Sequence, residues 1–471
     1  MNLFSFTELN TQVRNRCLER GLIFRSAGNG LWMCLLLPVA LLSNLHNYNG
    51  YSELYKTIAV VSIGQFICAV SNILQSNNDH IPFGPIGLLF SSTIVSLVLV
   101  FCTDHSLIII LTTAILSSLS YSKVWETVIR KCPRCFTYGE VSLIAQAIVL
   151  YLSSFGINLI LLWSRYSIKQ CHEIATFILQ AGFFAVLCIV ATATYFPAIL
   201  RNSFTFLFVL CSLVGIFVLG LPFIVIERNS ILWLFQLVNN QKSIPLISLW
   251  MVCCLGAVYF LSQQCRDSKP ASSGMRKSFH FLIFIVFLPG LIIHPCLMYL
   301  ASGVALALLI LIETARKLNV TVYSNILHSC FKAFKDEKDE GDLALTPLYL
   351  MIGCAVPLWM YPFSFSKYIP LPVLAGLLTV AIGDSMASIG GTSFGSHQWP
   401  RSSKTIEGTI CCFASQIITL FILFYLGFIR IKHSMLSLFT VAVISLLEAH
   451  TDQIDNLILP FVSYIMFCLI S

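Results

Sequence analysis

Fifteen apolar runs follow one another along this 471-residue chain. They fall near 31–45, 57–74, 86–102, 106–122, 141–163, 174–195, 203–225, 244–263, 279–294, 296–312, 346–362, 368–386, 410–428, 435–449 and 456–470. A helix of about 20 apolar residues spans the hydrocarbon layer of a bilayer, and about 17 is the short limit. In lipid the backbone N–H and C=O groups of such a run must be satisfied within the run, which makes it a helix. Several runs sit near the short limit, and the split at His294-Pro295 is the weakest boundary. The expected architecture is therefore an all-α polytopic membrane protein with about 13–15 transmembrane helices. Only 10% of residues are charged, against about 25% in an ordinary soluble protein. Eighteen cysteines are present, but most lie inside apolar runs, as at Cys253-Cys254 and Cys411-Cys412. There they act as small hydrophobes, and no disulfide framework is expected. Arg14, Arg16, Arg20 and Arg25 precede the first run and no small-residue cleavage site ends it, so the N-terminus is not read as a cleavable signal.

Positive charge sets the expected orientation. If the N-terminus is cytosolic, alternate loops divide the 28 Lys and Arg residues 20 to 8 in favour of the cytosol. The same assignment puts the loops at 264–278, 313–345 and 383–409 on one face. The net charge of +7 suits loops facing anionic headgroups better than nucleic acid.

Residues 383–409 carry the densest chemistry. Gly383-Asp384-Ser385-Met386-Ala387-Ser388 is followed by Gly390-Gly391, Gly395, Trp399-Pro400 and Lys404-Thr405-Ile406-Glu407-Gly408-Thr409. An acidic residue closes an apolar helix, a glycine- and serine-rich loop follows, and a Lys/Thr/Glu cluster opens the next helix. Glycines let backbone N–H groups approach phosphate oxygens. A lysine supplies a point charge, and carboxylates hold Mg²⁺. Those parts suit a metal-bound nucleotide at a membrane surface. The bland alternatives are an interfacial Asp384 and a capping pattern in which Thr405 or Ser403 caps a helix with Glu407 in its first turn.

Other constellations lie nearby. Glu448, Asp452 and Asp455 share i, i+4, i+7 spacing, and three carboxylates on one helical face call for a cation or a basic partner. Arg276, Lys277 and His280 offer cations for a triphosphate and an imidazole for proton transfer. Glu313, Arg316 and Lys317 end another span; singly, such residues are most often interface anchors. The mixed-charge run from Lys335 to Asp342 reads first as a solvated connector. Cys132-Pro133-Arg134-Cys135 lacks a second ligand pair for zinc. The sequon Asn319-Val320-Thr321 falls on the expected cytosolic face and is expected to be unmodified. No internal repeat is visible. Residues 1–264 are poor in motifs and are read as an N-terminal transmembrane helical region. Residues 265–471 are read as a C-terminal catalytic transmembrane region with cytosolic nucleotide-binding loops.

The 383–409 segment closely resembles the dolichol kinase family, which belongs with phytol kinase and CDP-diacylglycerol synthase. The stretch from Ser445 to Leu457 is similar to the family's C-terminus. Phe136-Thr137-Tyr138-Gly139-Glu140, the Arg276-Lys277 run with His280, and Asp336-Glu337-Lys338-Asp339 share the likeness. One departure is Ser403, where the family has the first of two adjacent lysines. The resemblance implies CTP-dependent phosphorylation of dolichol at the cytosolic face of the endoplasmic reticulum membrane, supplying a lipid carrier for protein glycosylation. It implies CTP as phosphoryl donor, Mg²⁺ or another divalent cation, and dolichol and other lipids of the bilayer as partners, with no nucleic acid. Within that frame Asp384, Lys404 and Glu407 are the expected catalytic residues. Gly390, Gly391, Gly395, Lys404, Thr405, Arg276 and Lys277 are expected at CTP, and Asp384, Glu407 and Asp455 at the metal. His280, Glu313, Arg316, Glu448 and Asp452 are further candidates. A cytidylyltransferase making a CDP-lipid, a kinase for another polyprenol and a transporter remain as alternatives. A transporter would place charges near the midplane of both halves, whereas here they crowd one face of one half.

Overall fold

Each apolar run coincides with a helix in the computed structural model of the chain. It describes residues 6–45, 53–74, 84–163, 171–267, 273–321, 328, 339–361, 368–400 and 402–470. Eleven helices among the described residues are long and apolar enough to cross a membrane. Four shorter apolar helices, Leu31–Leu45, Thr346–Met360, Ser434–His450 and Asp455–Ile470, account for the other runs. The protein is an all-helical, polytopic membrane protein. Eleven candidate spans, against the 13–15 expected, reflects the shortness of those four helices.

The chain divides into two compact units: Met1–Ser164 with Glu340–Leu343, and Arg165–Asp339 with Ala344–Ser471. This partition follows packing, whereas the 264/265 boundary followed the distribution of chemistry-bearing residues. The first unit contains α1 (Phe6–Glu19), α2 (Leu31–Leu45), α3 (Glu53–Leu74), α4 (Pro85–Cys102), α5 (Leu107–Lys131) and α6 (Tyr138–Trp163). A polar seam runs through its core. Asn72 donates to the Tyr138 hydroxyl at 2.9 Å, and the Trp125 indole donates to Ser142 Oγ at 3.1 Å. At the start of α6, Thr137 and Glu140 form a reciprocal capping box: Thr137 N–H donates to Glu140 Oε2 (2.8 Å) and Glu140 N–H to Thr137 Oγ1 (3.3 Å). The other oxygen of Glu140 accepts from the buried Arg25 guanidinium at 2.7 Å. Glu340 accepts from the Ser26 backbone at 2.9 Å. Residues 335–338 of the mixed-charge run lie outside the described residues.

The second unit contains α7 (Cys171–Tyr195), α8 (Ser203–Ile226), α9 (Ser230–Val238), α10 (Ser243–Asp267), α11 (Ser273–Ile293), α12 (Pro295–Leu318), α13 (Thr346–Met360), α14 (Leu371–Phe394), α15 (Ile406–Tyr425), α16 (Ser434–His450) and α17 (Asp455–Ile470). The boundary at His294-Pro295 is present. Pro295 occupies the first helical position, and the His294 ring nitrogen accepts the Leu297 N–H at 3.3 Å. A short helix, α9, capped by Asn229, lies between the apolar runs 203–225 and 244–263. Cys171 and Cys296, at the first turns of the neighbouring helices α7 and α12, are joined in a disulfide. This corrects the expectation of no disulfide: these two cysteines sit in the first turns of their helices, where the helix ends meet, and not in the middle of apolar runs. Asn319 of the sequon closes α12 in the left-handed region (φ 55°), a conformation Asn tolerates well.

Candidate active site

α14 is irregular where it matters. It opens as a 3₁₀ turn (Leu371–Leu374), widens into a π-helical stretch (Leu377–Asp384) and continues as α-helix from Ser385 to Phe394. Such π segments are uncommon and cluster at functional sites. Asp384 is the last residue of the wide stretch. It therefore does not close the helix, as the sequence suggested. It lies about 20 Å along it, at 1.5 Å per residue, with ten more residues beyond. Its side chain is buried, the residue only 6% exposed. An aspartate at that depth costs several kcal/mol unless paired. The partner is Lys277 on α11, whose ammonium bonds Asp384 Oδ2 directly. His280, one turn further along α11, brings Nε2 to 3.4 Å from the same oxygen. The i, i+3 spacing of Lys277 and His280 puts both on one helical face.

The Lys404 side chain reaches into the same place from the turn before α15. Its Nζ donates to Glu448 Oε1 (2.5 Å), to the Glu448 carbonyl (2.6 Å) and to Asp455 Oδ2 (3.2 Å). Burial by itself lowers the affinity of Lys404 for its proton. The facing carboxylates of Asp455 and Glu448 outweigh this and hold the pKa above the usual lysine value. Glu448 ends α16 and Asp455 begins α17. One carboxylate oxygen from each of Asp384, Glu448 and Asp455 lies within 4.8 Å of the others. This donor set suits a hard divalent cation such as Mg²⁺. Arg276, Lys277, His280, Asp384, Lys404, Glu448 and Asp455 all line one cavity of about 370 Å³. Gly391, Ser403 and Thr405 line it as well. His280, 4% exposed, is buried in the wall of that cavity.

The turn that presents Lys404 is braced on both sides. Gln398 and Thr405 form an isolated antiparallel bridge, and the Trp399 N–H donates to the Lys404 carbonyl at 3.0 Å. The Trp399 indole donates to Thr409 Oγ1 at 2.9 Å and its ring packs against His450, centroids 5.0 Å apart. Thr405 caps α15, its hydroxyl accepting from the Gly408 N–H at 3.2 Å.

Several expected site residues stand elsewhere. Glu407 does not join the acidic cluster. It folds back over the turn, accepting from Ser396 Oγ (2.8 Å) and the His397 N–H (3.2 Å) and facing His397 Nδ1 (2.7 Å). The capping alternative describes Thr405 and Glu407 better than the metal-ligand one. Gly390 and Gly391 are helical residues of α14, not members of a loop. A side chain at Gly390 would collide with Cys411, so this glycine lets α14 and α15 approach closely. Gly395 lies just past the end of α14 and outside the cavity lining. Glu313 and Arg316 pair with each other, at 2.9 Å and 2.7 Å, and Glu313 also accepts from the Ala344 N–H at 2.7 Å. Asp452 accepts from the Gln453 amide in the turn between α16 and α17 and does not line the cavity.

A family model described as dolichol kinase matches residues 84–362. The chain belongs to the dolichol kinase family. Among relatives, it is 32% identical to the dolichol kinase of Bos taurus over 363 residues, which is 72% of this chain and 66% of that protein. It is 33% identical to the Mus musculus dolichol kinase over 360 residues, again 72% and 66%. Dolichol kinase EVAN of Arabidopsis thaliana is 31% identical over 250 residues, 52% of this chain and 44% of that protein. The chain thus matches somewhat under two thirds of the length of its mammalian relatives. No solved structure matches it. The family-model match includes Arg276, Lys277 and His280 but stops before Asp384, Lys404, Glu448 and Asp455.

Proposed function

We propose that this chain transfers the γ-phosphoryl group of CTP to the hydroxyl of dolichol, at the cytosolic face of the endoplasmic reticulum membrane. The observation that carries the reading is the cavity in which Asp384, Glu448 and Asp455 meet Lys277, Lys404 and Arg276, in a chain of the dolichol kinase family. Phosphoryl transfer asks mainly for positioning and neutralisation of charge on the transferred group. The dolichol oxygen forms a bond to the γ-phosphorus, the bond to the β–γ bridging oxygen breaks, CDP leaves, and the hydroxyl proton passes to a carboxylate of the cavity or to water. Lys404, Lys277 and Arg276 are the cations within reach of a triphosphate. Asp384, Glu448 and Asp455 would hold a divalent cation, with Glu448 taking the place first given to Glu407. Such a cation, when bound, supplies charge neutralisation at the phosphate oxygens. Asp384 lies within a membrane span, where the hydroxyl of a polyprenol dissolved in the bilayer can reach it.

Two features support the cytosolic placement. One is the 20-to-8 charge division. The other is the Cys171–Cys296 disulfide: in that orientation both cysteines lie on the lumenal side, the oxidising compartment in which disulfides persist. An engineered glycosylation site at Ser396 should stay unmodified; its glycosylation would overturn the orientation and the cytosolic site together.

The test of function is an assay of purified full-length protein with labelled CTP or ATP and dolichol, other polyprenols or phytol. The expected products are dolichyl phosphate and CDP. Transfer from ATP but not CTP would overturn the donor. Release of pyrophosphate with a CDP-lipid would move the chain to the cytidylyltransferases.

A further inference from the structure

The Lys404 ammonium stands where a divalent cation held by Glu448 and Asp455 would stand. It takes one oxygen from each carboxylate and the Glu448 carbonyl as well. Lys277 does the same at Asp384. The three carboxylates of the cavity thus face three fixed cations, counting Arg276, and the lining is balanced in charge. A divalent ion entering among the same oxygens meets an ammonium at a few ångströms, where like charges repel strongly in a partly desolvated site. The two lysines differ in their freedom to yield. Lys277 projects from the body of α11. Lys404 projects from a turn whose backbone is pinned, while its side chain is 29% exposed. Its ammonium can therefore leave without disturbing the fold. The start of α15, where Thr405, Gly408 and Thr409 line the same cavity, offers it another place. His280 Nε2, buried in the wall, faces the same Asp384 oxygen at 3.4 Å, so a third group of the cavity looks onto the carboxylate that a cation would share.

We propose that Lys404 is a displaceable placeholder. Without nucleotide it holds Glu448 and Asp455 in position, and divalent-cation binding expels its ammonium toward the triphosphate. Cation and nucleotide then bind with positive coupling, because the same event that fills the carboxylates frees a cation for phosphate. This rests on the reading of Asp384, Glu448 and Asp455 as the metal site.

The experiment measures Mn²⁺ binding by electron paramagnetic resonance on purified full-length protein in nanodiscs, for wild type, Lys404→Met and Glu448→Gln. Without nucleotide, Lys404→Met should bind Mn²⁺ about tenfold tighter than wild type, within the usual range of site-to-site coupling. CTP should tighten Mn²⁺ binding in wild type and much less in Lys404→Met. In wild type alone, acetylation of Lys404 by an amine reagent, read by mass spectrometry, should rise about threefold or more with saturating Mn²⁺ and fall when CTP is added. The labelling arm decides the question even where Lys404→Met does not fold. If Glu448→Gln weakens Mn²⁺ binding but Lys404→Met does not strengthen it, or Lys404 labelling ignores Mn²⁺, the placeholder role is wrong and the metal site stands. If Glu448→Gln leaves Mn²⁺ binding unchanged, the metal site itself is wrong.

Discussion

Each compact unit buries a constellation of opposite charges, and the two are built differently. In the first unit, Arg25 (3% exposed) meets Glu140 (0%) in a one-to-one pair. Glu140 spends its second oxygen on the Thr137 N–H, inside a capping box at the head of a helix. All of this is local bracing of one loop and one helix start. In the second unit, charges from α11, α14, the turn before α15, α16 and α17 converge on a cavity. Burial of charge is common to both and so does not by itself mark function. What distinguishes the second constellation is that its members come from separate elements, share partners, and face open volume. A buried pair is seldom retained for stability alone, because its desolvation cost rivals its attraction. The first pair holds a loop and a helix start together; the second set, on the reading proposed above, exchanges one cation for another.

Substitution at the two carboxylates breaks the comparison most sharply. Asp384→Asn keeps the shape and removes the charge that binds Lys277 and helps hold a cation. Phosphoryl transfer should fall about 100- to 1000-fold per folded molecule, the scale for losing a principal electrostatic contact in a reacting site. Glu140→Gln should do the opposite. It should destabilise the fold by about 3 kcal/mol, as breaking one side of a buried pair does, and leave turnover per folded molecule near wild type. Thermal unfolding in detergent and activity normalised to folded protein separate the two. Retention of more than half the activity by Asp384→Asn, or a catalytic defect in folded Glu140→Gln, would erase the distinction.

Lys404→Ala is the next largest effect. Loss of a charge-assisted contact to phosphate should cost at least about 2 kcal/mol of transition-state stabilisation, or roughly 30-fold in kcat/KM. No adjacent lysine stands in for it, since position 403 is serine. A smaller effect separates the two glutamates near the turn. Glu448→Gln should raise the Mg²⁺ concentration for half-maximal activity about tenfold, as loss of a ligand or its support does. Glu407→Gln, a residue turned toward His397, should change it by less than about threefold on the same scale. Equal shifts in the two variants would return Glu407 to the metal site.

Membrane class and helix positions were legible because hydrophobic length is a local property of the sequence. The candidate site was legible in part. Asp384, Lys404, Lys277, Arg276 and Asp455 were visible as costly or clustered charges, and they do meet. Their pairings were not, because Lys277–Asp384 and Lys404–Glu448 join residues 107 and 44 positions apart. The capping box at Thr137–Glu140 has a local signature, T-x-x-E, that could have been read as bracing. The glycines misled for a physical reason: Gly390-Gly391 serves close helix packing and phosphate approach equally well as a string of letters, and only the position of Cys411 decides between them. The π-helical stretch that ends at Asp384 leaves no mark in composition. The Cys171–Cys296 link depends on two helix ends meeting across 125 residues.

The smallest expected effect probes how much charge the open constellation can still accept. Ser403 lines the cavity beside Lys404 and is solvent-exposed. Ser403→Lys restores the pair of lysines that the family resemblance leads one to expect. A lysine there lies in high dielectric, where an added ion-pair contact contributes about 0.2–1 kcal/mol, so KM for CTP should fall by no more than about fivefold. Because it acts on binding and not on the transferred group alone, kcat should change little. Screening gives the decisive signature: the gain should be present at about 0.01 M ionic strength, where charges act over about 30 Å, and nearly vanish at 1 M, where they act over about 3 Å. The same substitution placed in the first unit, at Ser26 beside Glu340, should leave KM unchanged at either salt concentration. A rise in KM for Ser403→Lys, or a gain that persists in high salt, would mean that position 403 does not face the triphosphate and that Lys404 binds phosphate from another side of the cavity.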